Sequence, residues 1–155
     1  MHYLILVLIS MVPLIELRGA VPYGIANGIP FTQALPLAVL GNIIPVPIIF
    51  FFAHRVLIWG ADKAIIGPFF SWCLKKGHSG GQKLMAKAGE KGIYIALLLF
   101  VGIPIPGTGA WTGTLAASIL DWNFKKSVLA VLSGTILAGL IMGLLTIFGL
   151  KIFYQ

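Results

Sequence analysis

The chain has 155 residues, of which 59% are hydrophobic and only 10% charged. Soluble domains carry roughly 25% charged residues, so this composition excludes an ordinary soluble domain. Eleven Lys and Arg stand against four Asp and Glu, a net charge of +7, which fits the Lys/Arg bias of cytoplasmic loops; nucleic-acid binding is set aside, because no basic face lies outside that pattern.

An all-α integral membrane protein is therefore expected. A first apolar stretch, Tyr3 to Ile15, is interrupted at Glu16-Leu17-Arg18-Gly19-Ala20-Val21-Pro22 and resumes through Gly24 to Ile29. It lacks a basic start and carries Glu16 and Arg18 where a signal peptide would be cleaved, so it is taken as mature sequence. Asn27-Gly28-Ile29-Pro30 reads as a turn. Phe31 to Trp59 is long enough to span, and Pro36, Pro45 and Pro47 predict a kinked helix with an unwound piece at Pro45-Val46-Pro47. His54 and Arg55, near its end, suggest a gate or an anchor at the headgroups.

Residues 60–91 hold Lys63, Lys75, Lys76, Lys83, Lys87 and Lys91. Ile65, Phe69 and Trp72 on one face predict an interfacial helix interrupted near Gly67-Pro68. Gly77-His78-Ser79-Gly80-Gly81 then reads as a flexible turn, followed by a basic aqueous loop. A second broken stretch runs Ile93 to Ile103, breaks at Pro104-Ile105-Pro106-Gly107-Thr108-Gly109, and resumes from Ala110 to Leu120. Asp121-Trp122-Asn123 is a turn before a last span, Ser127 to Phe153.

Half-segments of about a dozen residues, at ~1.5 Å each, reach about half of a ~30 Å hydrocarbon core. Each broken stretch is thus expected to be a re-entrant hairpin, broken by Gly19 and Pro22 in the first and by Pro104 and Pro106 in the second. A hairpin returns to its own side and the helix after it crosses, so two such units in one chain form an inverted repeat. Repeat 1 covers 1–59, the basic linker 60–91 and repeat 2 92–155, in a single membrane domain. Gly19-Ala20 pairs with Gly109-Ala110, Phe31 with Phe124, and Gly41-Asn42 with Gly134-Thr135. The charge rule places the linker and Lys125-Lys126 in the cytoplasm and both termini outside.

A charge at membrane depth costs several kcal/mol or more and usually marks function. Glu16 is a candidate to take up and release a proton, and the fork of Arg18 suits phosphate or carboxylate; an ion pair between them is the structural alternative. In the second break, Gly107, Thr108 and Gly109 open a helix whose free N–H groups favour an anion, with Thr112 adding a hydroxyl and Trp111 an apolar wall; a rigid turn is the alternative. The glycines resemble a dinucleotide fingerprint only by accident, with Thr112 in the third glycine position and no strand before it. Gly24/Gly28, Gly109/Gly113 and Gly139/Gly143 have the spacing of close helix contacts, the last also suiting a dimer seam. No metal cluster, cofactor motif or catalytic triad is present in the sequence, and Cys73 stands alone, so no enzyme is expected.

The segments Glu16 to Pro22 and Pro104 to Trp111 together resemble the family of putative small multi-drug export proteins of bacteria and archaea, over essentially the whole chain. The chain is also similar to the DedA/VTT superfamily, whose members have two re-entrant hairpins, each followed by a spanning helix. Some of those members are implicated in recycling undecaprenyl phosphate or scrambling lipids, with proton coupling. After Glu16 this chain has no second carboxylate, and Val101 and Gly107 stand where DedA proteins carry arginines. Glu16 and Arg18 are left as the charged counterparts.

The expectation is a small secondary transporter in the prokaryotic cytoplasmic membrane, a homodimer in contact with membrane lipids. It would move an amphipathic, anionic or lipid-like substrate such as a polyprenyl phosphate, with proton coupling, through a site between the hairpins. Efflux of small hydrophobic drugs is the alternative, and a non-transporting assembly factor the alternative of another class.

Overall fold

The computed structural model describes residues 1–105 and 107–153, at 153 the backbone alone, and these are helical apart from short connections. Helix α1 (His2–Met11) stops because Pro13 forces the residue before it out of the helical region: Val12 is extended, at φ −74° and ψ 128°. A connection over 12–15 follows, with Leu14 at φ 72°. Helix α2 (Glu16–Ala26) then runs back along α1. His2 Nδ1 meets the Tyr23 hydroxyl at 3.1 Å, and a Cβ on Gly24 would lie 2.5 Å from Leu6 Cδ1.

This corrects the expected break. Gly19 and Pro22 lie inside α2, and the chain reverses at Pro13 instead. Pro22 removes one helical hydrogen bond, the one to the Arg18 carbonyl, without ending the helix. Gly19 makes room for the end of the connection: a Cβ there would be 2.4 Å from Ile15 Cγ2.

Helices α3 (Phe31–Ile43) and α4 (Pro45–Ala61) form one nearly continuous rod that contains an 18-residue stretch of mean hydropathy 2.2. Pro45 opens α4, where its missing N–H is no loss; residues 45–47 are helical and not unwound. Helix α5 (Gly67–Gly102) covers most of the linker and the second apolar stretch. The flexible turn expected at Gly77–Gly81 is helix. Its glycines serve close approach, since a Cβ on Gly77 would be 2.1 Å from the Ile119 carbonyl and one on Gly81 2.2 Å from that of Leu120. The interruption expected near Gly67-Pro68 is the connection over 62–66 that leads into α5; a second falls inside α5 at Gly89, whose φ of 69° and ψ of 169° favour glycine. The residues before Gly89 form an arm and those after it an inner half.

The inner half of α5 ends at Ile103, and a loop containing Pro104 and Gly107 leads to α6 (Ala110–Ile119). Pro106, the other expected breaker, lies outside the described residues. A Cβ on Gly113 would be 2.6 Å from Val101 Cγ2, and Tyr94 meets Trp122 edge to face, so α6 runs back along α5. Helix α7 (Phe124–Phe153) closes the fold and contains an 18-residue stretch of mean hydropathy 2.4. Gly139 and Gly143 face Leu35 and Phe31 of α3, which makes this pair a contact within the chain.

The halves match in detail. After α2, Gly28 has φ 79° and Ile29 N–H donates to the Gly24 carbonyl at 2.9 Å; after α6, Asp121 has φ 58° and Trp122 N–H donates to the Ala117 carbonyl at 3.0 Å. Both are left-handed C-caps with the long six-to-one bond. Phe31 and Phe124 each open the next helix. A Cβ on Gly41 would be 2.6 Å from the Val7 carbonyl, and one on Gly134 2.6 Å from that of Leu98. Buried positions keep step, Leu17 with Ala110, Ala20 with Gly113, Val21 with Thr114 and Gly24 with Ala117. The pairing of Gly19-Ala20 with Gly109-Ala110 is therefore out of register. Outward-facing Phe51, Phe52, Leu144, Leu145 and Phe148 give the rods an apolar surface suited to lipid.

Candidate functional site: the joined hairpin tips

The two chain reversals meet. Glu16 opens α2 with φ 51°, a left-handed backbone that strains any residue other than glycine. Its carboxylate is buried and accepts two hydrogen bonds from the start of α6, from Ala110 N–H at 3.3 Å and from Trp111 N–H at 3.1 Å. Helix α6 has no capping side chain of its own, because its N-cap is Gly109. Glu16 supplies the cap from the other half of the chain, placing a negative charge on the positive end of the helix. Gly109 makes this possible, since a Cβ there would lie 2.1 Å from Glu16 Oε2.

Arg18 grips the other side of the same loop. Its Nη1 donates to the Ile105 carbonyl and its Nη2 to Thr108 Oγ1 at 3.0 Å. The Thr108 hydroxyl has the Ile103 and Ile105 carbonyls within 3.1 and 2.9 Å as acceptors. A guanidinium thus meets carbonyls left over at the end of α5, and a carboxylate meets N–H groups left over at the start of α6. Among the described residues Glu16 and Arg18 do not pair with each other; the ion pairs are His78–Asp121 and Lys126–Glu90. Gly107, at φ 85°, turns the loop between them.

A cleft of about 190 Å³ opens beside this clasp, lined by Leu14, Glu16, Gly107, Thr108, Trp111 and Thr112 among others. Five of the residues singled out from sequence thus share one cavity. Arg18 is turned to the loop carbonyls, and Gly109 lies beneath the Glu16 carboxylate. Thr112 donates back to the Gly109 carbonyl at 3.3 Å. The Trp111 indole N–H is buried without a partner.

Trp111 and Leu115 also line a second, wholly apolar groove of about 340 Å³ between α4 and α6, with Ile49, Phe52, Ala53 and Val56 opposite. Ile119, at its far end, borders a third cavity of about 410 Å³ lined by His54, Lys75, His78 and Asp121. His54 is therefore in a cavity wall, while Arg55 is exposed. The contributions of Pro13, Leu14, Lys75 and Asp121 were not apparent from sequence. Pro13 was hidden in an apolar run, and the others depend on which helices pack together. Asn42, fully buried with both amide atoms unpartnered, likewise stood out only as a polar residue in a span.

Fold and site define a small all-helical membrane protein whose two hairpins are locked tip to tip beside an apolar groove. The family model described as "Putative small multi-drug export protein" matches residues 16–141, and the chain belongs to that family. No curated protein and no solved structure matches it.

Proposed function

We propose that the chain is a secondary transporter that carries an amphipathic, anionic, lipid-like substrate, such as a polyprenyl phosphate, along the groove between α4 and α6. The observation behind this is the groove itself: apolar throughout, it joins the tip cleft at Trp111 and Leu115 and a cavity with His54 and Lys75 at Ile119. A tail fits the middle and a charged head fits either end.

The reading includes proton coupling, for which the occupancy of α6 is the support. Its first N–H groups already hold an anion, the Glu16 carboxylate. A substrate head takes them only when Glu16 lets go, and a protonated Glu16 is the weaker acceptor. One anion entering as one proton binds Glu16 leaves the charge of the site unchanged, which suits a low-dielectric interior.

The same reading includes re-entry of both hairpins and an inverted repeat in the cytoplasmic membrane of a prokaryote, with residues 60–91 cytoplasmic and both termini outside. Supporting it are the paired C-caps, the paired glycines Gly41 and Gly134, and the ten or eleven residues of α1, α2 and α6, each about 15 Å long and half a bilayer core. It also includes a homodimer, with a seam elsewhere than Gly139/Gly143.

A second reading, efflux of small hydrophobic cations, is favoured by one observation: Glu16 is the one charged residue among those lining the tip cleft. Reconstituted vesicles distinguish the two. A fluorescent polyprenyl phosphate analogue should cross faster with the protein than without, Ala53→Phe should slow it by narrowing the groove, and Glu16→Gln should abolish its pH dependence. Movement of a cationic dye alone would support the second reading. Movement of neither by folded protein would leave the clasp a structural device and the chain a membrane assembly factor.

A further inference from the structure

Away from the hairpin tips, a groove of about 500 Å³ opens between the inner half of α5 and α7. The two helices run parallel there: Lys126 pairs with Glu90, and two turns further on a Cβ at Gly134 would be 2.6 Å from the Leu98 carbonyl. Charged residues of both walls therefore stand at one end, Lys91 and Glu90 on α5 and Lys126 on α7, with Ile95, Leu98 and Leu129 beyond them. Ile95 and Leu129 are 57% and 62% exposed, a surface that acyl chains cover without cost. Lys91 is exposed and has no ion-pair partner among the described residues.

The matching face of the other half, between α1 and α3, is different. There the Tyr3 hydroxyl donates to Gln33 at 3.0 Å, and neither helix carries a lysine. The excess positive charge is thus specific to one of the two matching faces. It lies at the Lys-rich end of the molecule, beside Lys87 and Lys125 in sequence.

We infer that the α5–α7 groove binds an anionic phospholipid, with its phosphate at Lys91 and Lys126 and an acyl chain over Ile95, Leu98 and Leu129. Basic pockets between membrane helices on the cytoplasmic side recognise such headgroups in this way. The inference rests on the proposed topology, which puts this end in the cytoplasm, but not on the transport activity.

Titrating the full chain in phosphatidylcholine nanodiscs with phosphatidylglycerol, followed by native mass spectrometry, tests it. Binding should weaken about fivefold for each lysine neutralised, so Lys91→Gln with Lys126→Gln should weaken it about twenty-five-fold. Leu129→Trp, which fills the groove and keeps both lysines, should weaken it too. Lys83→Gln with Lys87→Gln on the arm of α5 should leave it unchanged, and inorganic phosphate should not compete. Equal loss from both lysine pairs would reduce the effect to surface charge and overturn the site. So would unaltered binding in the groove variants, or a second copy of the chain that excludes lipid from this face.

Discussion

Replacing Gly109 by Ala should open the clasp between the hairpins. The Gly109 backbone is extended, at φ 165°, so alanine is tolerated there as far as the main chain is concerned. The obstacle is Glu16: the new methyl would lie 2.1 Å from Oε2 and 2.6 Å from Cδ. The carboxylate must leave Ala110 and Trp111, and each hydrogen bond to a charged group contributes about 1.5–3 kcal/mol. Allowing for partial resolvation of the carboxylate, a loss of about 3–5 kcal/mol is expected. Glu16→Ala should cost about 2–4 kcal/mol, because it leaves the α6 N–H groups uncapped. The discriminating measurement is the double-mutant cycle, by reversible unfolding in detergent. With Ala at 16, the Gly109→Ala change has nothing to collide with and should cost about 1 kcal/mol or less. An equal cost in both backgrounds would refute the idea that Gly109 exists to admit Glu16.

Other consequences can be measured independently. Arg18→Lys keeps the charge but cannot reach Ile105 and Thr108 with a planar fork, so it should destabilise the fold by about 1–2 kcal/mol in the same unfolding assay; a neutral outcome would show that the second half of the clasp is idle. Gly81→Val should lift the arm of α5 from the Leu120 carbonyl and speed maleimide labelling of Cys73, the single native cysteine; an unchanged labelling rate would show the arm is not docked through this contact. Reporter fusions should place both termini outside the cytoplasm and residue 75 inside, and cytoplasmic termini would sink the proposed topology. The detergent-solubilised protein should weigh as a dimer, and a monomer alone would remove the homodimer from the reading.

Much of the plan was legible in the chain. The apolar runs, the second break at Pro104 and Gly107, and the pairing of Phe31 with Phe124 are local signals. They arise from hydropathy, from the ring of proline and from the left-handed freedom of glycine, all of which act within a few residues. Glu16 and Arg18 stood out because unpaired charge in an apolar run is costly wherever it ends up. The signals that misled were also local. Gly77 and Gly81 read as a turn, and Gly19 and Pro22 as a break, because a glycine or proline in isolation announces flexibility or helix termination.

Tertiary packing decided what those residues do. Gly77, Gly81 and Gly109 are small because another part of the chain occupies the space a methyl would need, the carbonyls of Ile119 and Leu120 at the end of α6 for the first two and a carboxylate for the third. Composition and spacing therefore determined that the chain is a helical membrane protein with two interruptions. Only the folded chain brings Glu16 to Ala110 and Arg18 to Thr108, because a capping bond or an ion–carbonyl contact needs groups within about 3 Å, and sequence separation carries no information about that distance.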